Sequence, residues 1–275
     1  MKSLCGIFVF LSLIIHNSAQ IIIDNGRRGG SNPGPTVIDV DKKTVPAPVI
    51  NVLFVGNQYS KDNSLTQLVQ YMAAQVKKPM NIKIGTLFAD NTTFGGHLKN
   101  PETKKALAKY KWDYVVLQGH ADTPLNHPEE FYKDGRTIAN LIQESGAAPL
   151  FFMTWADALE QDKTMEIFNA YKKISLDSKS LMAPVGSAWE RAYKAHPKLT
   201  FYQKSTYAPG PHGSYLAAAV LTTVLTKQTV VGQKNTGLKS VSFAQGQALQ
   251  KIAVKTVIDY DNHLKKIQAA KKGKK

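Results

Sequence analysis

From Val49 onward the chain alternates short runs of consecutive apolar residues with longer stretches in which apolar residues recur every three or four positions. PVINVLFV, NIKIGTLF, DYVVLQ, APLFFMTW, LMAPVG and LTFYQ are runs of the first kind, and each predicts a buried strand. SLTQLVQYMAAQV is of the second kind, because Leu65, Leu68, Val69, Met72 and Val76 fall on one face of a helix. PETKKALAKY, HPEEFYKDGRTIANLIQESG, TMEIFNAYKKISLDS, a segment from about Ser187, GSYLAAAVLTTVLT and a last segment from near Ser242 read as helices too. Apolar strands separated by amphipathic helices require a parallel sheet covered on both faces. The expected fold is therefore α/β: a doubly wound, mostly parallel sheet with helices on both faces, a flavodoxin-like three-layer arrangement. In such sheets ligands sit beyond the carboxyl ends of the strands, so the loops after VLFV, LF, VVL and LTFY should converge on one crevice.

The ends of the chain depart from this pattern. Residues 1–19 carry Lys2, the apolar stretch LCGIFVFLSLII and the small residues NSA, the three-part pattern of a secretory signal peptide, and predict a secreted or periplasmic protein. The apolar stretch falls short of the about 20 residues a membrane span needs, which favours cleavage over the alternative of an uncleaved anchor. Residues 20–48, with GRRGGSNPGP and VPAP, read as a Gly/Pro-rich linker, and the domain is expected over 49–263. LKKIQAAKKGKK, 264–275, is a basic tail, either solvated and disordered or held against an anionic envelope surface.

Charge and cysteine content narrow the chemistry. The formal charge is +15, and cleavage of the signal would delete Lys2 and no acid, leaving +14. No zinc-finger spacing or aromatic-and-basic single-strand motif accompanies that charge, so a nucleic-acid partner is not expected. The single cysteine, Cys5, lies in the signal segment, which leaves a cleaved chain without disulfides or a thiolate nucleophile. No cofactor motif is present.

Four crevice loops have unusual content. The first strand is followed by Gly56-Asn57-Gln58-Tyr59-Ser60, and TTFGGHL puts Gly95 and Gly96 after the second, where bare backbone could approach a ligand. WDYVVLQGH places Gln118 at the third strand's end with its amide expected to project into the crevice, and STYAPGPHGSYLAAA runs from Ser205 into a helix. Together these resemble the SGNH or GDSL hydrolase superfamily. The similarity is to a branch reading GNS-(F/Y)-(S/T)-x-x-N-x-L, GG-x-x-L, WD-x-VVLQ and D-x-x-HPS-x-x-G-(S/T)-YLAA, over about Val49 to Leu225.

The resemblance implies a serine esterase site with an oxyanion hole from the serine amide, a glycine amide and a side-chain amide. Here Gln118 and Gly96 or Gly95 stand at the last two positions. The nucleophile position falls on Gln58, the acid on Ser205 and the base on Ala208, so all three triad positions are substituted. A carboxamide is a poor nucleophile at neutral pH, and neither alanine nor serine can do the work of an imidazole or a carboxylate. Loss of triad members costs on the order of 10⁶ in turnover in a well-studied protease. The expectation is a degenerate hydrolase that binds a small molecule or glycan, with Asn57, Gln58 and Gln118 as an amide-rich floor; alternatively Gln58 and Asn57 only stabilise the turn.

Two rescues are conceivable. His212, four residues after Ala208, could act as a base toward Ser60 or another serine such as Ser205 or Ser214, provided that it comes within about 3 Å of the hydroxyl. His97, His120, His127 and His212 with Asp90 and Asp122 could hold a zinc-like ion, although the spacing fits no compact metal motif. Trp155 either stacks on a ligand ring or packs in the core; Trp112 and Trp189 read as structural.

Overall fold

The computed structural model describes residues 47–203, 207–234 and 236–272. The expected signal segment, most of the expected linker, and Ser205 lie outside the described residues. In chain order the elements are β1 (Val49–Gly56), α1 (Gln58–Lys61), α2 (Leu65–Ala73), β2 (Asn81–Phe88), α3 (Phe94–Lys99), α4 (Pro101–Lys109), β3 (Tyr114–Leu117), α5 (Thr123–Asn126) and α6 (Pro128–Glu144). Then follow β4 (Ala148–Phe152), α7 (Thr164–Asp177), β5 (Leu181–Ala183), α8 (Val185–Ala195), α9 (Pro211–Thr226) and α10 (Phe243–Lys272). The five strands form one sheet in the order β2-β1-β3-β4-β5, every pairing parallel. The strand order reverses between β1 and β3, the switch point at which such sheets place their ligand crevice.

The apolar runs are continuous because both faces of the sheet are covered. Val52, Phe54, Val116, Leu150 and Phe152 point to one face and pack with α2, α8, α9 and α10. Leu53, Val55, Val115, Leu117 and Phe151 point to the other and pack with α6 and α7. Helix α9 is apolar all round and almost every residue in it is buried, as expected of a helix enclosed by other helices. Its start presses on Trp189, which stacks on Trp155 with ring centroids 3.9 Å apart and an interplanar angle of 9°. A Cβ at Gly213 would lie 2.1 Å from the Trp189 ring, which is why α9 begins with a glycine there.

Helix starts follow local chemistry. Thr93 accepts from the Gly96 N–H to cap α3, and Asn100 accepts from the Glu102 N–H to cap α4, with Pro101 at the first helical position.

Two expectations are corrected. LTFYQ is not a strand of the sheet: Tyr202 makes only an isolated antiparallel bridge to Pro209. Its apolar side chains serve a helix face instead, Phe201 and Tyr202 packing their rings against Trp189 and Tyr193. The basic segment, expected either solvated and disordered or held against an anionic surface, is helical as far as it is described, since α10 runs without a break to Lys272. Leu, Lys, Gln and Ala are strong helix formers, and they carry the helix on past the last residues that pack on the body. Among the described residues no helix is long and apolar enough to cross a membrane.

Candidate functional site

The crevice is built from the ends of β1, β2 and β3. The Gly56 carbonyl accepts from the Ala89 N–H at 3.1 Å, and the His97 Nε2 stands 3.0 Å from the same oxygen. One backbone group therefore ties the loop after β2 and helix α3 to the end of β1. Beside it, the Gln118 Oε1 accepts from the Asn57 N–H at 3.1 Å and from the Ser60 hydroxyl at 2.9 Å, while its Nε2 donates to the Gly119 carbonyl. A Cβ at Gly56 would meet Gln118 Oε1 at 2.9 Å and Ser60 Oγ at 3.1 Å, so glycine is what lets these groups close up. Gln118 is 1% exposed. Its amide does not project into the crevice: the oxygen joins the end of β3 to the start of α1, and the nitrogen is spent on the carbonyl of the next residue, Gly119. A buried amide left unpaired costs more than an exposed one gains, which explains the inward turn.

Gln58 is partly exposed and faces sideways. Its Nε2 donates to Asn91 Oδ1 at 2.8 Å and its Oε1 accepts from the Asn91 N–H at 2.9 Å, a reciprocal clasp across the mouth. Asn91 adopts φ 53°, a left-handed conformation that asparagine tolerates. Asn57, fully buried, accepts from the Tyr59 N–H at 3.1 Å and caps α1. Its Nδ2 has no partner among the described residues.

Gly95 and Gly96 lie in the first turn of α3 rather than in an open loop. A Cβ on Gly95 would fall 2.2 Å from Asp134 Oδ2 of α6, and one on Gly96 would fall 2.8 Å from the Thr92 methyl. The close approach that requires glycine here is made by this chain's own side chains. The Gly96 N–H is taken by Thr93 Oγ1 at 3.3 Å.

At the last block, Ala208 is partly buried and its carbonyl accepts from the Gln203 N–H at 2.9 Å. His212 is buried beside the LTFY segment: its Nδ1 accepts from the Thr200 N–H at 3.2 Å, and its Nε2 has no partner among the described residues. Ser60, bound to Gln118, and Ser214, bound to Asn63, are not hydrogen-bonded to it. The pairing of His212 with Ser60 is thus corrected, because the imidazole is fixed to backbone and the hydroxyl is committed to an amide. Trp155 is 1% exposed and donates to the Tyr207 carbonyl at 3.0 Å, so it packs in the core.

Asn63 was not among the residues expected to matter, yet it joins the first block to the last. Its Nδ2 donates to the Pro209 carbonyl at 2.8 Å and contacts Ser214 Oγ at 2.9 Å. The signal was present in the N-x-L part of the first motif, and its left-handed φ of 51° suits asparagine.

Among the described residues one imidazole–carboxylate pair stands at the carboxyl edge: His120 Nδ1 is hydrogen-bonded to Asp122 Oδ1, with both side chains partly exposed. His97, in contrast, is fully buried, and burial lowers its pKa against the smaller opposing effect of the Gly56 carbonyl. Burial is the main cause that pushes the Tyr59 hydroxyl up to about 12, reinforced by Tyr207, Asp122, Asp62 and Asp157. Asp62 is itself raised by burial and then by Asp90. No group of three or more His, Cys, Asp or Glu among the described residues is arranged to hold a metal ion.

No protein-family model matches the chain, and no curated protein matches it. Solved structures do. A DUF4886 family protein from Bacteroides uniformis superposes with a TM-score of 0.66 at 20% identity, over 76% of this chain and 95% of that one. A protein described as a candidate SGNH hydrolase from Slackia heliotrinireducens gives 0.55 at 22% identity, over 64% and 99%. A mutant of a Geobacillus acetyl-xylooligosaccharide esterase gives 0.52 at 13%, over 64% and 93%. The class defined by this likeness is one of fold: a three-layer α/β domain of the SGNH hydrolase-like kind.

Proposed function

We propose that this chain is an exported SGNH-hydrolase-like protein that does not work as a Ser-His-Asp esterase and acts by binding or as a structural domain on acylated glycan or envelope material. The observation that carries the reading is Gln58. The position that the resemblance gives to the nucleophile holds an amide clasped to Asn91, and the nearest hydroxyl on the same turn, Ser60, is committed to Gln118. An acyl intermediate needs an activated hydroxyl or thiol at this place, and none stands there. The likeness in fold to the Geobacillus acetyl-xylooligosaccharide esterase makes an acetylated oligosaccharide the first ligand to try. The purified chain is expected to leave short-chain aryl esters and acetylated xylo-oligosaccharides unhydrolysed, while calorimetry detects binding of the oligosaccharide. Turnover above the buffer rate would overturn the first half of the reading, and absence of binding would overturn the second.

A second reading rests on His120 and Asp122. With Nδ1 held by a carboxylate, the ring's Nε2 is left to accept a proton, the arrangement of a general base acting on water. If hydrolysis is found, loss of it in His120→Ala and its persistence in His212→Ala would support this site.

A further inference from the structure

Away from the crevice, the outer edge of the sheet carries a cavity of about 650 Å³ between β2 and α4. That volume lies within the range of about 300–1,000 Å³ typical of small-molecule sites. Its apolar floor is Leu53, Leu87, Ala106 and Trp112. Trp112 is fixed in place: its Nε1 donates to the Ala106 carbonyl at 2.8 Å, and its ring lies so close to β2 that a Cβ on Gly85 would be 2.4 Å away. Gly85 is thus the residue that allows the rim of the indole to press against an edge strand.

The sheet register orders the groove's polar groups. Asn51 pairs with Lys83, Leu53 with Gly85 and Val55 with Leu87. The Asp113 N–H donates to the Asn51 carbonyl at 2.8 Å, so the chain leaving α4 passes the Lys83 end of the groove. Helix α4 ends with Lys109, which lines the groove together with Lys83 and with Tyr110, 58% exposed, whose ring centroid lies 5.4 Å from the Lys109 ammonium. At the opposite end Lys105 is neutralised by Glu102 at 2.7 Å. Lys83 and Lys109 have no acidic partner in an ion pair among the described residues. At the Lys83 end the Asp113 carboxylate accepts from the Asn51 N–H at 2.7 Å, so two lysines against one acid leave that end net positive, with an apolar middle and an electrically balanced far end.

We infer that this groove binds a single-chain amphiphile with an anionic head, the head at Lys83 and Lys109 and the chain over Leu53, Trp112 and Leu87. Apolar walls alone would accept any greasy molecule; two ammonium groups without acidic partners at one end choose a carboxylate or similar anion and set its direction. The site is independent of the crevice.

The test titrates the full chain with dansyl-labelled undecanoate, its methyl ester and dansylglycine, reading energy transfer from tryptophan to dansyl. Expected is saturable binding of the undecanoate about fivefold tighter than its ester, the sum of two partly exposed charge contacts, and no saturation with dansylglycine. The double variant Lys83→Glu, Lys109→Glu should abolish or reverse the preference for the anion. Ala106→Phe, which fills the floor, should weaken both long-chain probes about tenfold, equivalent to roughly two methylenes no longer buried. Gln58→Ala should change nothing. Equal affinity for acid and ester, retained preference in the lysine variant, or binding only to lipid vesicles and not to the free probe would overturn the inference. The lysine variant alters exposed positions and remains informative if Ala106→Phe does not fold.

Discussion

Replacing Gln118 with methionine separates a supporting amide from a catalytic one. The change keeps the length of the side chain and removes its hydrogen bonds. The buried Asn57 N–H and Ser60 hydroxyl lose their acceptor at 3.1 and 2.9 Å, and the Gly119 carbonyl loses a donor. Each buried group left without a partner costs about 1–3 kcal/mol, and partial relaxation toward water brings the expected total to about 3 kcal/mol. For a domain of this size that is a fall in Tm of about 6–12 °C. Ser60→Ala alone should cost about 1 kcal/mol, since Gln118 keeps Asn57 as a donor. In the double variant no hydroxyl is stranded, so the loss should fall short of the sum by about 1 kcal/mol. Urea unfolding followed by tryptophan fluorescence measures all three. A Gln118→Met variant within about 0.5 kcal/mol of the parent, or strict additivity, would refute the argument that this amide is an internal brace.

Three other outcomes follow from the same geometry. His97 has a folded pKa below its ordinary value, so the unfolded chain binds more protons as pH falls below about 6.5; stability from this residue should be complete above that pH and decline through the folded pKa, and thermal melts at pH 7 and 5 should differ less in His97→Gln. Gly213→Ala forces a methyl to within 2.1 Å of the Trp189 ring and should destabilise by about 1–3 kcal/mol in urea unfolding, with a changed tryptophan spectrum. Gln58→Ser should break the clasp to Asn91 without conferring ester hydrolysis, because Ala208 offers no base; measurable turnover in a spectrophotometric ester assay would show that another residue supplies one.

Periodicity made the strands and long helices legible, since Val52 to Val55 and the Leu65, Leu68, Val69, Met72 face are buried as their spacing requires. LTFYQ misled because an apolar run of that length suits a sheet or a helix face equally, and Phe201 and Tyr202 found tryptophan and tyrosine rings first. The sheet order puts the loops after β1 and β3 at one crevice, but the direction of a side-chain amide is not written in a motif. Gln118 turns inward because Asn57 and Ser60 bring donors that only three-dimensional closure reveals. His212 was a candidate by nearness in sequence to Ala208, whereas its partner, Thr200, precedes it by a full loop. The groove beside Trp112 gave no sequence signal, for its walls come from β1, β2 and α4.

The enclosure of α9 has a consequence for biosynthesis. Its apolar surface faces α2 from the beginning of the body and α10 from its end, so the larger core cannot close until nearly the whole chain has left the ribosome. Contacts so distant along the chain slow folding and keep early strands exposed meanwhile. Truncation ahead of α10 should then yield an aggregating polypeptide and not a smaller version of the same domain.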